Sequence, residues 1–271
     1  MGTLRHSVPP AVAGTVLLFC LVQLPAQIPG EPTDLDRRFA RHFPERAPAQ
    51  LEFAEAAEHR PLVIITNSYQ FSMTAYVVQT EPKSADDNSQ TLIHDALTRI
   101  GGLFAPIPKG LSHKIGIPHV EGAPMPDAKL VAAVWEDGST FGSDELLARI
   151  SNSRKALAES YDRAIAILRN GLDKNWTAEE YLTAALQLKP PTLSRMATVE
   201  EAQAVSQKFI VQGIPSRTIT DNIQHAVQQD RSPARVAKLA QILLRQFEES
   251  RDSLRKALSG PFPSTDQPMN K

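Results

Sequence analysis

Apolar positions change their rhythm part-way along this chain. Before Gly142 they alternate or gather in short runs, and after it they recur at three-and-four spacing. Leu62 to Thr66 is a continuous apolar run closed by Asn67-Ser68, which predicts a strand. Met73 to Thr80 sets Met73, Ala75 and Val77 against Thr74, Tyr76 and Val78. Both of its faces are fairly apolar, which predicts an inner strand. Ser112 to Ile117 and Lys129 to Glu136 predict two more, whereas Thr91 to Ile100 fits either a short helix or an irregular strand. Pro106-Ile107-Pro108-Lys109-Gly110 predicts a turn or an edge, because its two prolines bring no ladder donors. Short strands at roughly 8 to 12 residue intervals predict a small all-β sandwich.

Beyond Gly142, the positions Leu146, Leu147, Ile150, Leu157, Tyr161, Ile165 and Leu168 follow the helical period, with Asn170-Gly171 as an expected stop. Thr177 opens T-A-E-E and Thr198 opens T-V-E-E, each the pattern of a capping box in which hydroxyl and glutamate satisfy each other's orphan amides. Ser232-Pro233 predicts a cap followed by proline in the first turn. The last helix carries Val236, Ala240, Leu243, Phe247, Leu254 and Leu258 along one seam, nearly a heptad. The predicted class is α+β: an N-terminal β-sandwich over 51–142, then a helical bundle over 143–260, with a disordered tail at 261–271.

The stretch Trp135-Glu136-Asp137-Gly138-Ser139-Thr140-Phe141-Gly142-Ser143-Asp144 joins these halves and is dense in polar groups. Each has a structural reading. Asp137-Gly138 is a turn pair, and Ser143 or Asp144 caps the long helix, with acidic residues at the positive end of its dipole. The catalytic alternative places Glu136, Asp137 and Asp144 at a domain junction as carboxylates of a hydrolase. Neighbours on a strand point to opposite faces, which weakens a Glu136–Asp137 pair. The glycines lack the lysine and the spacing of a phosphate loop.

The N-terminus adds an address. Arg5 and His6 precede an apolar run from Ala11 to Leu24 and then Pro25-Ala26, the layout of a secretory signal peptide over 1–26. The run is shorter than the roughly 20 residues of a membrane-spanning helix, so removal after Ala26 is expected over retention as an anchor. Membrane association is therefore expected only if that segment is retained. Residues 27–50 read as a linker or arm, with Leu35, Phe39 and Phe43 spaced by four as a helical hint. The only cysteine, Cys20, lies inside the apolar run behind Phe19 rather than the small residue that lipid attachment requires. Its loss with the segment excludes disulfides, thiol nucleophiles and cysteine-ligated zinc or iron–sulfur clusters from the mature chain. A formal net charge of -1 gives no field for nucleic acid.

Little else points to chemistry. His94, His113 and His119 are the metal or proton-transfer candidates of the strand region, but no H-E-x-x-H spacing occurs. G-x-S-x-G is absent, and Ser151-Asn152-Ser153-Arg154-Lys155 reads as decoration on the exposed side of the first long helix. Arg235, Lys238, Arg245, Arg251, Arg255 and Lys256 alternate with Glu248, Glu249 and Asp252 in the last helix, as on a solvated face. Asn175-Trp176-Thr177 is formally a glycosylation acceptor. No cofactor or metal is expected.

Taken together, Asn67-Ser68, Thr74-Ala75-Tyr76-Val77-Val78, Pro106 to Gly110 and Trp135 to Gly142 resemble exported proteins of unknown function from soil bacteria, especially acidobacteria. The resemblance spans roughly Leu51 to Leu168 and implies an exported bacterial protein with an immunoglobulin-like or fibronectin-like sandwich half. It brings no known activity. The expected function is a non-enzymatic binding or scaffolding module of the cell envelope, periplasmic or extracellular, with a protein partner or a second copy of itself. An envelope-polymer hydrolase using the junction carboxylates is the alternative.

Overall fold

Among the described residues, eight strands lie between His42 and Gly142, and four helices between Asp144 and Leu258. The computed structural model describes residues 40–55, 61–81, 90–101, 105–117, 126–188, 199–229 and 232–259. The expected signal peptide over 1–26 with Cys20, and Leu35, Phe39, His119, Thr198 and the stretch over 261–271, lie outside the described residues. Among the described residues the chain is a mixture of two sheets and four helices, so the α and β classes are both present as expected.

The strands are β1 (His42–Phe43), β2 (Ala49–Glu55), β3 (Pro61–Asn67), β4 (Met73–Glu81), β5 (Gln90–Asp95), β6 (Ser112–Gly116), β7 (Asp127–Trp135) and β8 (Thr140–Gly142). A five-stranded sheet runs in the order β1-β8-β7-β4-β5, and a three-stranded sheet in the order β2-β3-β6. Pairing is antiparallel except between β1 and β8, which are parallel. Val63, Ile65 and Ile115 of the smaller sheet share one apolar core with Met73, Tyr76, Val78, Ala133 and Trp135 of the larger. β4 lies inside its sheet and is buried on both faces, as its doubly apolar pattern predicts. Thr91 to Ile100 resolves into β5, a turn, and a bridge from Ile100 back to Asp95.

The other face of the larger sheet is covered by helix. α1 (Asp144–Asp173) starts at Ser143, whose Oγ accepts the Leu146 amide at 3.4 Å. Its Leu147 and Ile150 pack on Ala75, Val77, Ile93, Ala132 and Val134. Two turns further on, Leu157, Tyr161, Ile165 and Leu168 enter a second core with α2 (Ala178–Gln187), α3 (Val199–Gln229) and α4 (Pro233–Leu258). The spacing that marks α1 as amphipathic thus serves two different partners. The element type changes at Gly142, while Pro32–Lys271 forms one compact unit across that point.

Several local expectations need correction. Asn170-Gly171 does not stop α1, which continues to Asp173. Gly171 is buried where a β-carbon would overlap the Tyr181 ring, so it serves the close approach of α2. The left-handed residue that turns the chain is Asn175, with φ 53°. Phe43 belongs to a strand rather than a helix, and β2 begins at Ala49, inside the stretch read as an arm. The Thr177 capping box is present with both reciprocal bonds. Ser232 is the N-cap residue of α4, and its side chain makes no capping hydrogen bond.

Candidate functional site

The three junction carboxylates are the natural place to look first. Asp137 is 1% exposed; its Oδ1 accepts the Ser139 amide at 2.9 Å, and its Oδ2 accepts Ser139 Oγ at 2.7 Å and Tyr69 OH at 3.1 Å. These bonds staple the turn between β7 and β8, where Gly138 holds φ 88° and donates to the Trp135 carbonyl. Glu136, one residue before, donates its backbone amide to the Ser72 carbonyl at 2.9 Å. Asp144 is exposed in the first turn of α1, at the end where its charge meets the helix dipole. Asp137 thus sits in the turn, and Ser143 rather than Asp144 is the cap of α1.

Asn67 organises the same end of the strand region. Its Nδ2 donates to the Phe71 and Ile107 carbonyls, both at 2.8 Å, while its Oδ1 accepts the Tyr69 amide and Trp135 Nε1, both at 3.0 Å. All four hydrogen-bonding positions of a fully buried amide are filled. Phe43, Tyr69 and Trp135 meet edge-to-face around it at centroid separations of 5.3 to 5.6 Å. Asn67, Tyr69, Phe71, Ile107 and Trp135 thus meet in one interlock.

A second cluster joins the two sheets. Tyr76 on β4 stacks on His94 of β5, with ring centroids 5.0 Å apart and planes 16° from parallel. Tyr76 OH lies 2.5 Å from Nδ1 of His113 on β6, across the core. The two imidazoles meet edge-on at 6.0 Å. Burial, aided by the neighbouring His113, lowers the His94 pKa from 6.5 to about 4; burial also lowers that of His113 and raises that of Tyr76. Of the sequence's histidine candidates the fold brings His94 and His113 together. Among the described residues no group of three or more histidines and carboxylates is arranged to hold a metal.

On the opposite face of β5, Asp95 meets the residue that sequence reasoning misplaced. Arg154 does not decorate the exposed side of α1; its side chain is 0% exposed. Its Nε donates to Asp95 Oδ2 and its Nη2 to Asp95 Oδ1, both at 3.0 Å, and Nη2 also reaches Thr74 Oγ1 at 3.0 Å. Thr74 in turn donates to the Val134 carbonyl. The only sequence signal was position: Arg154 falls four residues after Ile150 and three before Leu157, on the apolar stripe of α1.

The basic residues of α4 divide by task. Arg255 and Arg251 both reach Asp162 of α1, and Arg169 pairs with Glu248. Arg235 and Lys238 instead line an open groove of about 570 Å³ between α3 and α4, with Asn222, His225, Leu239 and Ile242. None of the three junction carboxylates lines it.

No protein family model, curated protein or solved structure matches this chain.

The remaining feature with the character of a site is an edge. β2 stands at the end of the three-stranded sheet with β3 as its partner. Leu51 packs inward, but Phe53, two residues along on the same face, is 46% exposed. Gln50 and Glu52 are exposed as well.

Proposed function

We propose that this chain is an exported, non-enzymatic binding module of the bacterial cell envelope, in which β2 takes an extended segment of a protein partner as an added strand. The observation that carries the proposal is Phe53, an aromatic side chain half exposed on the outermost strand of a sheet. Strand addition supplies affinity through main-chain bonds and specificity through alternate side chains. An outer strand with an exposed aromatic is an aggregation hazard unless covered, and Glu52 beside Phe53 guards against indiscriminate pairing. The facing sheets support reading the strand half as an immunoglobulin-like sandwich, an architecture with accessible edges. The structural tasks of Asp137 and Asp144 favour binding over hydrolysis.

The test places photo-reactive benzoylphenylalanine at Gln50 in the full chain, expressed in an envelope-bearing host, with the same probe at exposed Leu111 as control. The expected product is an adduct at position 50 that maps to an extended segment of one partner or of a second copy, and that Phe53→Lys abolishes. Equal labelling at both positions, together with a strictly monomeric chain in light scattering, would remove the proposal.

A further inference from the structure

We infer that α4 pairs with the α4 of a second copy of this chain, antiparallel about a two-fold axis at Ile242, over the groove between α3 and α4. The inference does not depend on the binding role of β2.

The seam that the sequence marks on α4 is already in use. Val236, Ala240, Leu243, Phe247 and Leu254 are buried in the helical core of their own chain. What α4 turns outward is a second stripe, in which Arg235, Ile242 and Glu249 follow at intervals of seven and are all exposed. Seven residues return a helix to within about 20° of its starting direction, so the three share one face. Arg235 and Glu249 each stand about 10 Å from Ile242 along the helix axis, one on either side. Lys238 adds to the positive end and Asp252 to the negative end, and both are exposed. Arg245 lies between them, 4.0 Å from Glu249.

The positive end of the stripe opens on the groove of about 570 Å³. Ala226, Leu239 and Ile242 give it apolar lining, while His225, Arg235 and Lys238 give it its charge-bearing groups. Gln229, the last residue of α3, accepts a hydrogen bond from Arg235 Nη2, which holds the guanidinium at the rim. A groove between two helices, part apolar and part cationic, suits an acidic helix laid into it.

The negative end of α4 is such a helix. A two-fold rotation at Ile242 sets that side chain against its own copy and Arg235 against Glu249 of the second copy. The same rotation sets Glu249 against Arg235 of the second copy, so one complementary contact is made twice, as an isologous interface requires. A parallel arrangement would instead oppose like charges, which costs several kcal/mol and fixes the direction. The Arg245–Glu249 pair does not hold Glu249 away, because its side chains are 74% and 72% exposed and such pairs contribute little. Ile242, 37% exposed, supplies the apolar centre. A contact one helix long belongs to the small, transient class of interfaces, below roughly 1,200 Å² in total.

Sedimentation equilibrium of the full chain at low and high salt tests the pairing. The expected result is a monomer–dimer equilibrium whose association constant falls about fivefold or more between about 20 mM and about 500 mM salt. Arg235→Glu and Glu249→Arg should each weaken association about tenfold or more at low salt, since each opposes like charges at both symmetric contacts. Both reversals in one chain leave the net charge unchanged and should restore association to within about threefold. Phe53→Lys should leave it as it is. A strict monomer at low salt and the highest soluble concentration would overturn the inference, as would association that ignores the single reversals or that the double reversal does not regain. A dimer lost in Phe53→Lys but kept in Arg235→Glu would seat the second copy on β2, ending this inference and leaving the strand-addition reading intact. Should a reversal fail to fold, Ile242→Lys, which sets two like charges on the axis, decides in its place: association that it leaves intact refutes the pairing.

Discussion

Arg154 and Asp95 lie 59 residues apart in the chain and form a buried, two-point ion pair where α1 crosses the five-stranded sheet. The pair also reaches Thr74, and through it the Val134 carbonyl, so one guanidinium ties a helix to three strands. Removing both ions for apolar groups of similar volume often costs little, whereas removing one strands the other. Arg154→Ala should therefore lower unfolding stability by about 3–5 kcal/mol. The double variant Arg154→Met, Asp95→Leu should recover most of that loss. Urea midpoints of the two variants check the prediction, and equal losses would show that the pair is not the main contact of α1 with the sheet.

Asn67 fills four hydrogen bonds that no apolar side chain can replace. Asn67→Ala takes the Asn67 bond from the indole of Trp135, the Tyr69 amide and the Phe71 carbonyl, while the Ile107 carbonyl keeps the Met73 amide, at roughly 1–3 kcal/mol for each orphaned group that water cannot reach. The variant is expected to melt earlier and to shift Trp135 emission to the red. Trp176, in the helical core, should not respond. An unshifted spectrum with unchanged stability would mean that the loops close without this amide.

Gly171 faces the Tyr181 ring with no room for a methyl group. Gly171→Ala gains intrinsic helix propensity but must push α2 away from α1, so overpacking wins by about 1–3 kcal/mol. Adding Tyr181→Leu should shrink the penalty, because the two positions share one space. Thermal melts of the single and double variants measure that coupling.

Stability should fall in acid and in strong base, for different residues. The folded pKa of His94 is lowered from 6.5 to about 4, so its contribution is complete above 6.5 and is lost as pH falls from 6.5 through about 4. Burial raises Tyr181 from 10 to about 12, so its contribution is complete below 10 and is lost as pH rises from 10 through about 12. Melting temperature followed across both windows should show both slopes, and His94→Phe should flatten only the acidic one.

The legible parts of this fold were those decided within a few residues. Ser143 and the Thr177–Glu180 box act on amides three positions away, so a short stretch of sequence contains both partners of each bond. Gly138 was readable for the same reason, since the turn it serves is four residues long. Gly171 was misread because its reason lies on another helix: beside Asn170 it looks like a stop, and only Tyr181 makes it a contact. Arg154 was misread because charge in a polar run normally means solvent, and its counter-ion sits on a strand. β1 and β2 were missed since two residues, or an alternation that lapses at Ala54, give too little period to register.

The candidate sites follow the same division. Sequence placed His94 and His113 among the titratable residues of the strand region, but the Tyr76 side chain that joins them comes from a third strand. It also marked Asp137 and Asp144, whose places in the turn and in the first turn of α1 are set by neighbours close in the chain, and Glu136, whose amide reaches Ser72 on another part of the fold.

By itself, then, the amino-acid order determined the change from strand to helix near Gly142, the caps and the tight turn, because backbone preference and side-chain period are local quantities. Only the tertiary structure decided which polar groups are buried, which histidines meet, and which strand is left at the edge. Those outcomes depend on distances between residues tens of positions apart, and the fold alone sets them.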